Sequence, residues 1–191
     1  MTTDETTEDK PRVYIVSLSD YNNGDLLGRW FEFADYTDAE DLLSGIGDML
    51  KVYDERFPLP FSGKREEWAA HDSEYIPKRL YSESMDFSAV YEWLDAVADM
   101  DEERAEAYEL FINNGDEAAE FNDRYMGKFG DRPYDDDYTA REYAESTFWE
   151  QHSEQDIPAS VRNYIDFTSM ANDLVLGGDI FVSQGHVFLN R

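Results

Sequence analysis

The sequence contains no cysteine. A disulfide framework, a thiolate metal site and a cysteine nucleophile are therefore all impossible, which fits the cytoplasm. Cations are scarce: 16 Lys and Arg face 44 Asp and Glu, a net charge of -28 over 191 residues. Binding to phosphates needs cationic side chains that release counterions, so nucleic acid and anionic membrane surfaces are excluded as partners. No apolar run approaches the roughly 18 residues of a transmembrane helix. The start, MTTDETTEDKPR, has neither the basic region nor the apolar segment of a signal peptide. The expectation is a soluble protein of the cytoplasm. Catalytic patterns are missing too. G-x-G-x-x-G, the P-loop and G-x-S-x-G do not occur, and His71, His152 and His186 belong to no H-E-x-x-H array. With 44 acids, carboxylate pairs suited to glycosidase chemistry arise by chance, so no catalytic residue and no cofactor is assigned.

Aromatic residues are plentiful at 15%, and hydrophobic ones reach 41%, so the chain has the means to fold despite its charge. Residues 1–11 read as a solvated tail. From Arg12, a strand through Leu18, an Asn22-Asn23-Gly24 turn and a β-rich run from Leu27 to Phe33 predict a hairpin. Thr37-Asp38-Ala39-Glu40 has the form of a capping box, opening a helix to about Lys51 with Leu42, Leu43, Ile46, Met49 and Leu50 inward. Phe57-Pro58-Leu59-Pro60-Phe61 reads as a loop before a strand near Glu66 to Glu74.

Between Ser84 and Tyr125 the pattern turns helical. Phe87, Val90, Tyr91, Leu94 and Val97 form one stripe, and Ala105, Tyr108, Phe111 and Ile112 another, with Asn113-Asn114-Gly115 as a stop. A polar segment from Gly127 to Asp137 precedes a second capping box, Thr139-Ala140-Arg141-Glu142, and a helix to about Gln151. A last helix from Asp166 to Gly177-Gly178 leads into a hairpin of 180–183 and 187–189 around Gln184-Gly185. The expected class is α+β: an elongated chain of three small domains, with a tail at 1–11, an α+β domain at 12–82, a helical middle domain at 83–127 and an α+β domain at 128–191. No fixed-period repeat is present.

The acids occupy outer helix faces. Asp38, Asp41 and Asp48 border the first helix, and Glu92, Asp95 and Asp99 oppose the 87–97 stripe. Glu102, Glu103, Glu106 and Glu109 oppose the next stripe, followed by Asp116, Glu117 and Glu120, then Asp131, Asp135, Asp136, Asp137, Glu142 and Glu145. Charged outer faces are ordinary, but exposed helices usually interleave Lys with Glu. From Asp86 to Glu120 the only cation is Arg104. Asp131, Asp135, Asp137 and Glu142 fall at positions 1, 5, 7 and 12 of a calcium loop. Pro133 at position 3 and Asp136 where glycine is required break that template, so no metal ligand is assigned. B-DNA carries one charge per 1.7 Å, so this net charge corresponds to about 48 Å of duplex. A compact chain of this length is about 42 Å across. The two line densities are similar, so carboxylates on rigid helices can stand in for phosphates.

The segment from Tyr14 to Gly24, continuing through Leu27-Gly28-Arg29-Trp30-Phe31, resembles the opening of the ArdA antirestriction proteins. Glu67-Trp68-Ala69-Ala70-His71-Asp72 is similar to that family's E-W-x-x-H-D, and Phe121 to Gly127 to its F-x-x-x-Y-x-G. Leu176-Gly177-Gly178-Asp179 resembles its late G-G-D element. The set runs in order from about Arg12 to Phe188. The resemblance implies an elongated, curved homodimer that imitates bent B-DNA and targets the methyltransferase and specificity-subunit core of type I restriction-modification enzymes. Such proteins are carried on mobile elements. The carboxylates named above are then the phosphate-mimicking partner surface. Phe148, Trp149 and Phe167 are candidates for the dimer interface, or else simply core. Alternatives are a halophilic or acidic enzyme, a calcium-dependent binding module, and a DNA mimic directed at another DNA-binding protein.

Overall fold

The structure is a computed structural model that describes residues 10–60 and 63–190. Most of the expected 1–11 tail, and Phe61 of the 57–61 loop, lie outside the described residues. The chain divides into two compact units, one up to Asp99 and the other from Met100. The fold is α+β, and each unit holds a three-stranded antiparallel sheet.

In the first unit the order is β1 (Arg12–Ser17), α1 (Leu18–Asn22), β2 (Gly28–Glu32), α2 (Ala39–Arg56), β3 (Trp68–Glu74) and α3 (Phe87–Val97). β1 is the central strand, with β2 and β3 antiparallel on its two sides. The expected hairpin exists, but a helical turn, α1, fills its connection. Ser17 caps that turn by accepting from the Asp20 amide, so Leu18 begins a helix and does not prolong the strand. Gly28 pairs with Val16, where a Cβ would lie 2.4 Å from the Ile15 carbonyl oxygen. Only glycine fits there.

α2 starts one residue later than the capping-box reading placed it. Asp38, not Thr37, is the N-cap and accepts from the Asp41 amide at 2.9 Å, while Asp41 reaches back to the Thr37 amide at 3.0 Å. Two aspartates thus do the work of a capping box shifted by one residue, and the carboxylate at the N-cap gains from the helix N-terminus as a Thr hydroxyl does not. Leu42, Ile46, Met49 and Leu50 are buried, whereas Leu43 is exposed. They pack with Val13, Ile15, Phe31 and Phe33 of the sheet side, and with Phe87 and Val90 of α3. Trp68 stacks on Phe87, and Tyr91 donates its hydroxyl to the Phe33 carbonyl at 3.1 Å, fixing α3 to this core.

The second unit contains α4 (Glu102–Asn114), α5 (Phe121–Arg124), β4 (Tyr125–Lys128), α6 (Asp136–Gln151), α7 (Ala159–Arg162), α8 (Phe167–Leu176), β5 (Ile180–Ser183) and β6 (His186–Leu189). β6 lies between β4 and β5. The expected β5–β6 hairpin forms around Gln184 and Gly185, both at positive φ (50° and 87°), the conformation a two-residue turn requires. β4 lies in a stretch read as the end of a helical region. Its four residues are too short for a period-2 signal to stand out. The 83–127 stretch thus gives α3 to the first unit's core, and α4, α5 and most of β4 to the second's. α6 opens at Asp135, which caps the Tyr138 amide, four residues before the Thr139 box. Thr139 is instead a buried helical residue. Phe111, Phe121, Phe181 and Phe188 form the aromatic heart, with ring centres 4.6 to 6.4 Å apart.

Each unit is pinned by a buried arginine. Arg65 gives Nε and Nη2 to the two oxygens of Asp20, both at 2.6 Å, and Nη1 to Asp54 at 3.0 Å. Arg124 gives Nη1 to Asp116 at 2.6 Å and Glu120 at 3.1 Å, and Nε to the Leu189 carbonyl. Bidentate pairing with Asp20 makes the burial of Arg65 tolerable, and two carboxylates with a carbonyl do the same for Arg124. Arg65→Ala leaves Asp20 buried and unpaired, and is expected to cost about 3–5 kcal/mol in urea unfolding, with much of it recovered when Asp20→Leu and Arg65→Met are combined. Hydrogen bonds from Arg65 hold the Asp20 carboxyl below its ordinary 3.8, against its burial. A depressed carboxyl stabilises above its unfolded pKa, so this contribution is retained at neutral pH and lost as pH falls below about 4.

Candidate functional site

Glu92 and Asp95 lie on the outer side of α3 and Asp99 just beyond it; Glu102, Glu103, Glu106 and Glu109 lie on the outer side of α4; all seven are exposed. The sequence periodicity that put apolar residues inward necessarily put these outward. Among the described residues, Glu92, Asp95, Asp99, Glu102, Glu103, Glu109 and Glu117 have no ion-pair partner.

Arg104 explains part of this. Its guanidinium lies 5.1 Å from the Phe121 ring centre and 5.7 Å from that of Tyr125, and bonds the Asn122 side chain. The only cation between Asp86 and Glu120 is thus held by π faces and an amide, and makes no ion pair with a neighbouring carboxylate among the described residues.

The other expected positions are engaged internally. Asp38 and Asp41 cap α2, and Asp48 pairs with Lys51 at 2.9 Å, both side chains exposed. Glu106 bonds Lys128 at 3.1 Å and His186 at 3.2 Å. Asp116 and Glu120 hold Arg124, and Glu142 and Glu145 share Arg141. Asp135 caps α6, while Asp131, Asp136 and Asp137 are exposed around its start. Desolvation raises the Asp136 carboxyl, and the charges of Asp137 and Asp135 raise it further against a backbone hydrogen bond from Gln184. Crowding of like charge is thus felt at this corner.

Among the described residues, no group of three or more His, Asp or Glu side chains is placed to hold a metal ion, including the 131–142 segment. No described helix is long and apolar enough to cross a membrane. Phe148, Trp149 and Phe167 come together within one chain: Phe167 is buried, and its ring meets Phe148 at 5.6 Å and Trp149 at 6.3 Å, edge to face. Phe148 also lines a groove of about 450 Å³ between α6 and α8, with Met170, Leu174 and His152.

The polar network around His186, which is fully buried, has no signature in the sequence. Its Nδ1 is 3.0 Å from the Tyr125 hydroxyl and its Nε2 3.2 Å from Glu106. Burial pushes the His186 pKa below 6.5 and that of Tyr125 up to about 12. An isolated His in a sequence of this charge carries no spacing signal, so only packing reveals it.

Two expectations separate the free acids from the engaged ones. Glu92→Gln, Asp95→Asn and Glu109→Gln together should leave the melting temperature unchanged or raised, because like-charge repulsion is relieved at positions outside the first turn of either helix. Asp116→Asn should destabilise by about 1–3 kcal/mol, since it weakens a charged hydrogen bond to buried Arg124. For His186, a lowered pKa means that the unfolded chain takes up the proton first. Stability is therefore full above about 6.5 and falls as pH drops through that value; His186→Gln should flatten melting temperature against pH between 7.5 and 5.5.

No curated protein matches the chain. The model of the antirestriction protein family ArdA matches residues 13–188, nearly the whole length, covering both sheets and the unpaired acidic helices. The chain therefore belongs to the ArdA antirestriction family, non-enzymatic DNA mimics that inhibit type I restriction enzymes.

Proposed function

We propose that this chain inhibits by entering the DNA-binding groove of the methyltransferase and specificity-subunit core of a type I enzyme, where its carboxylates take the places of phosphates. The observation that carries this reading is the unpaired acid on α3 of the first unit and on α4 of the second, whose own arginine is turned onto aromatic rings. An acidic surface evolved only for solubility has no need to keep its nearest cation away from the acids. Glu92, Asp95, Asp99, Glu102, Glu103, Glu109 and Glu117 are the leading phosphate stand-ins. Asp131, Asp136 and Asp137 extend the set, and Asp38, Asp41, Asp48, Asp135, Glu142 and Glu145 contribute charge despite their internal contacts. Glu106, Asp116 and Glu120 serve the fold first.

In this reading the active form is an elongated, curved homodimer of small domains in the cytoplasm, with Phe148, Trp149 and Phe167 near its interface. Long-range attraction speeds association, and salt weakens it. Mixed with a type I methyltransferase and labelled duplex at low salt, the protein should displace the DNA, with affinity falling steeply between 50 and 200 mM salt. No displacement by excess inhibitor defeats the reading.

A further inference from the structure

In the first unit, a groove of about 480 Å³ runs between the turn after α1 and the loop after α2. Its walls include Asp25, Leu26, Phe57 and Leu59, with Asp20 and Arg65 behind them. Leu26 is 67% exposed and Phe57 52% exposed, and unlike other exposed apolar side chains such as Tyr134 and Leu176 they share the wall of one groove with a carboxylate, Asp25. Neither is consumed by the core of this unit.

The charge of the groove is decided by how its ions pair. Arg65 spends Nε and Nη2 on Asp20 and Nη1 on Asp54, so it offers no open face to an anion. Two carboxylates around one guanidinium leave one negative charge behind the groove, and exposed Asp25 adds another at its mouth. An apolar cleft with anionic surroundings is complementary to a long cationic side chain, whose methylenes cover apolar surface while its head stays near a carboxylate. A second copy would bring further negative charge to an already anionic groove, and the dimer proposed above uses Phe148, Trp149 and Phe167 elsewhere; nucleic acid is repelled more strongly still.

We propose that this groove is an anchor for an arginine or lysine side chain of the inhibited methyltransferase core, its aliphatic stem lying on Leu26, Phe57 and Leu59 and its charged head facing Asp25. The inference rests on the functional reading above and adds to it a short-range, desolvated contact. Distributed carboxylates set the rate of encounter; a packed anchor sets how long the complex lasts.

The test compares wild type, Leu26→Ser/Phe57→Ser, Asp25→Asn and a control, Glu109→Gln, in binding kinetics against a purified type I methyltransferase at two salt concentrations. The double variant is expected to dissociate about tenfold faster, as loss of a packed apolar anchor does, with its association rate and salt dependence unchanged. Asp25→Asn should also dissociate faster. Glu109→Gln should alter association or its salt dependence and leave dissociation alone. Wild-type dissociation rates in both groove variants overturn the anchor while leaving DNA mimicry intact; a wild type that displaces no duplex overturns both. If the groove variants change self-association in sedimentation, the occupant is a second copy and the proposal falls. Leu26→Ser alone, at a largely exposed position, supplies the same readout if the double variant melts early.

Discussion

Mutual repulsion among carboxylates is the constraint to which the rest of this molecule answers. With 44 acids and 16 cations, the chain cannot neutralise itself, and where each arginine goes decides which acids stay free. Arg65 and Arg124 are spent inside, each drawing two acids of its own unit into a partnered cluster. Both sites lock connections as well as charges: Asp20 sits in the α1 turn that links β1 to β2, and Arg124 reaches the carbonyl of Leu189 at the end of β6. Buried in this way, the two cations bring distant segments together, and the outer faces of α3 and α4 keep most of their negative charge.

How far the sequence discloses this depends on the kind of signal each feature leaves. Long amphipathic helices are legible, because α2, α3 and α4 repeat their apolar residues every three or four positions and leave acid elsewhere. The β5–β6 hairpin is legible from its Gln184-Gly185 turn. Helix starts are harder to place, since Asp38 and Asp135 took the capping role from nearby Thr37 and Thr139; in an acid-rich sequence several candidate caps stand side by side. α1 and β4 are each too short for periodicity to register.

The candidate surface shows the same division. Outward projection of Glu92, Glu102 and Glu109 follows from helix geometry alone. That Glu106, Asp116 and Glu120 are bound to Lys128, His186 and Arg124 does not, because nothing local distinguishes an acid with a distant partner from one without. Asp20 and Arg65 are 45 residues apart, and their pairing is a product of tertiary packing.

The contact of Arg104 with the rings of Phe121 and Tyr125 has an evolutionary corollary. Since no carboxylate on the neighbouring outer face is tied to that guanidinium, aspartate can replace glutamate there, or an acid can migrate by a turn, without disturbing the fold. Such a surface answers to its total charge and not to the identity of any one acid.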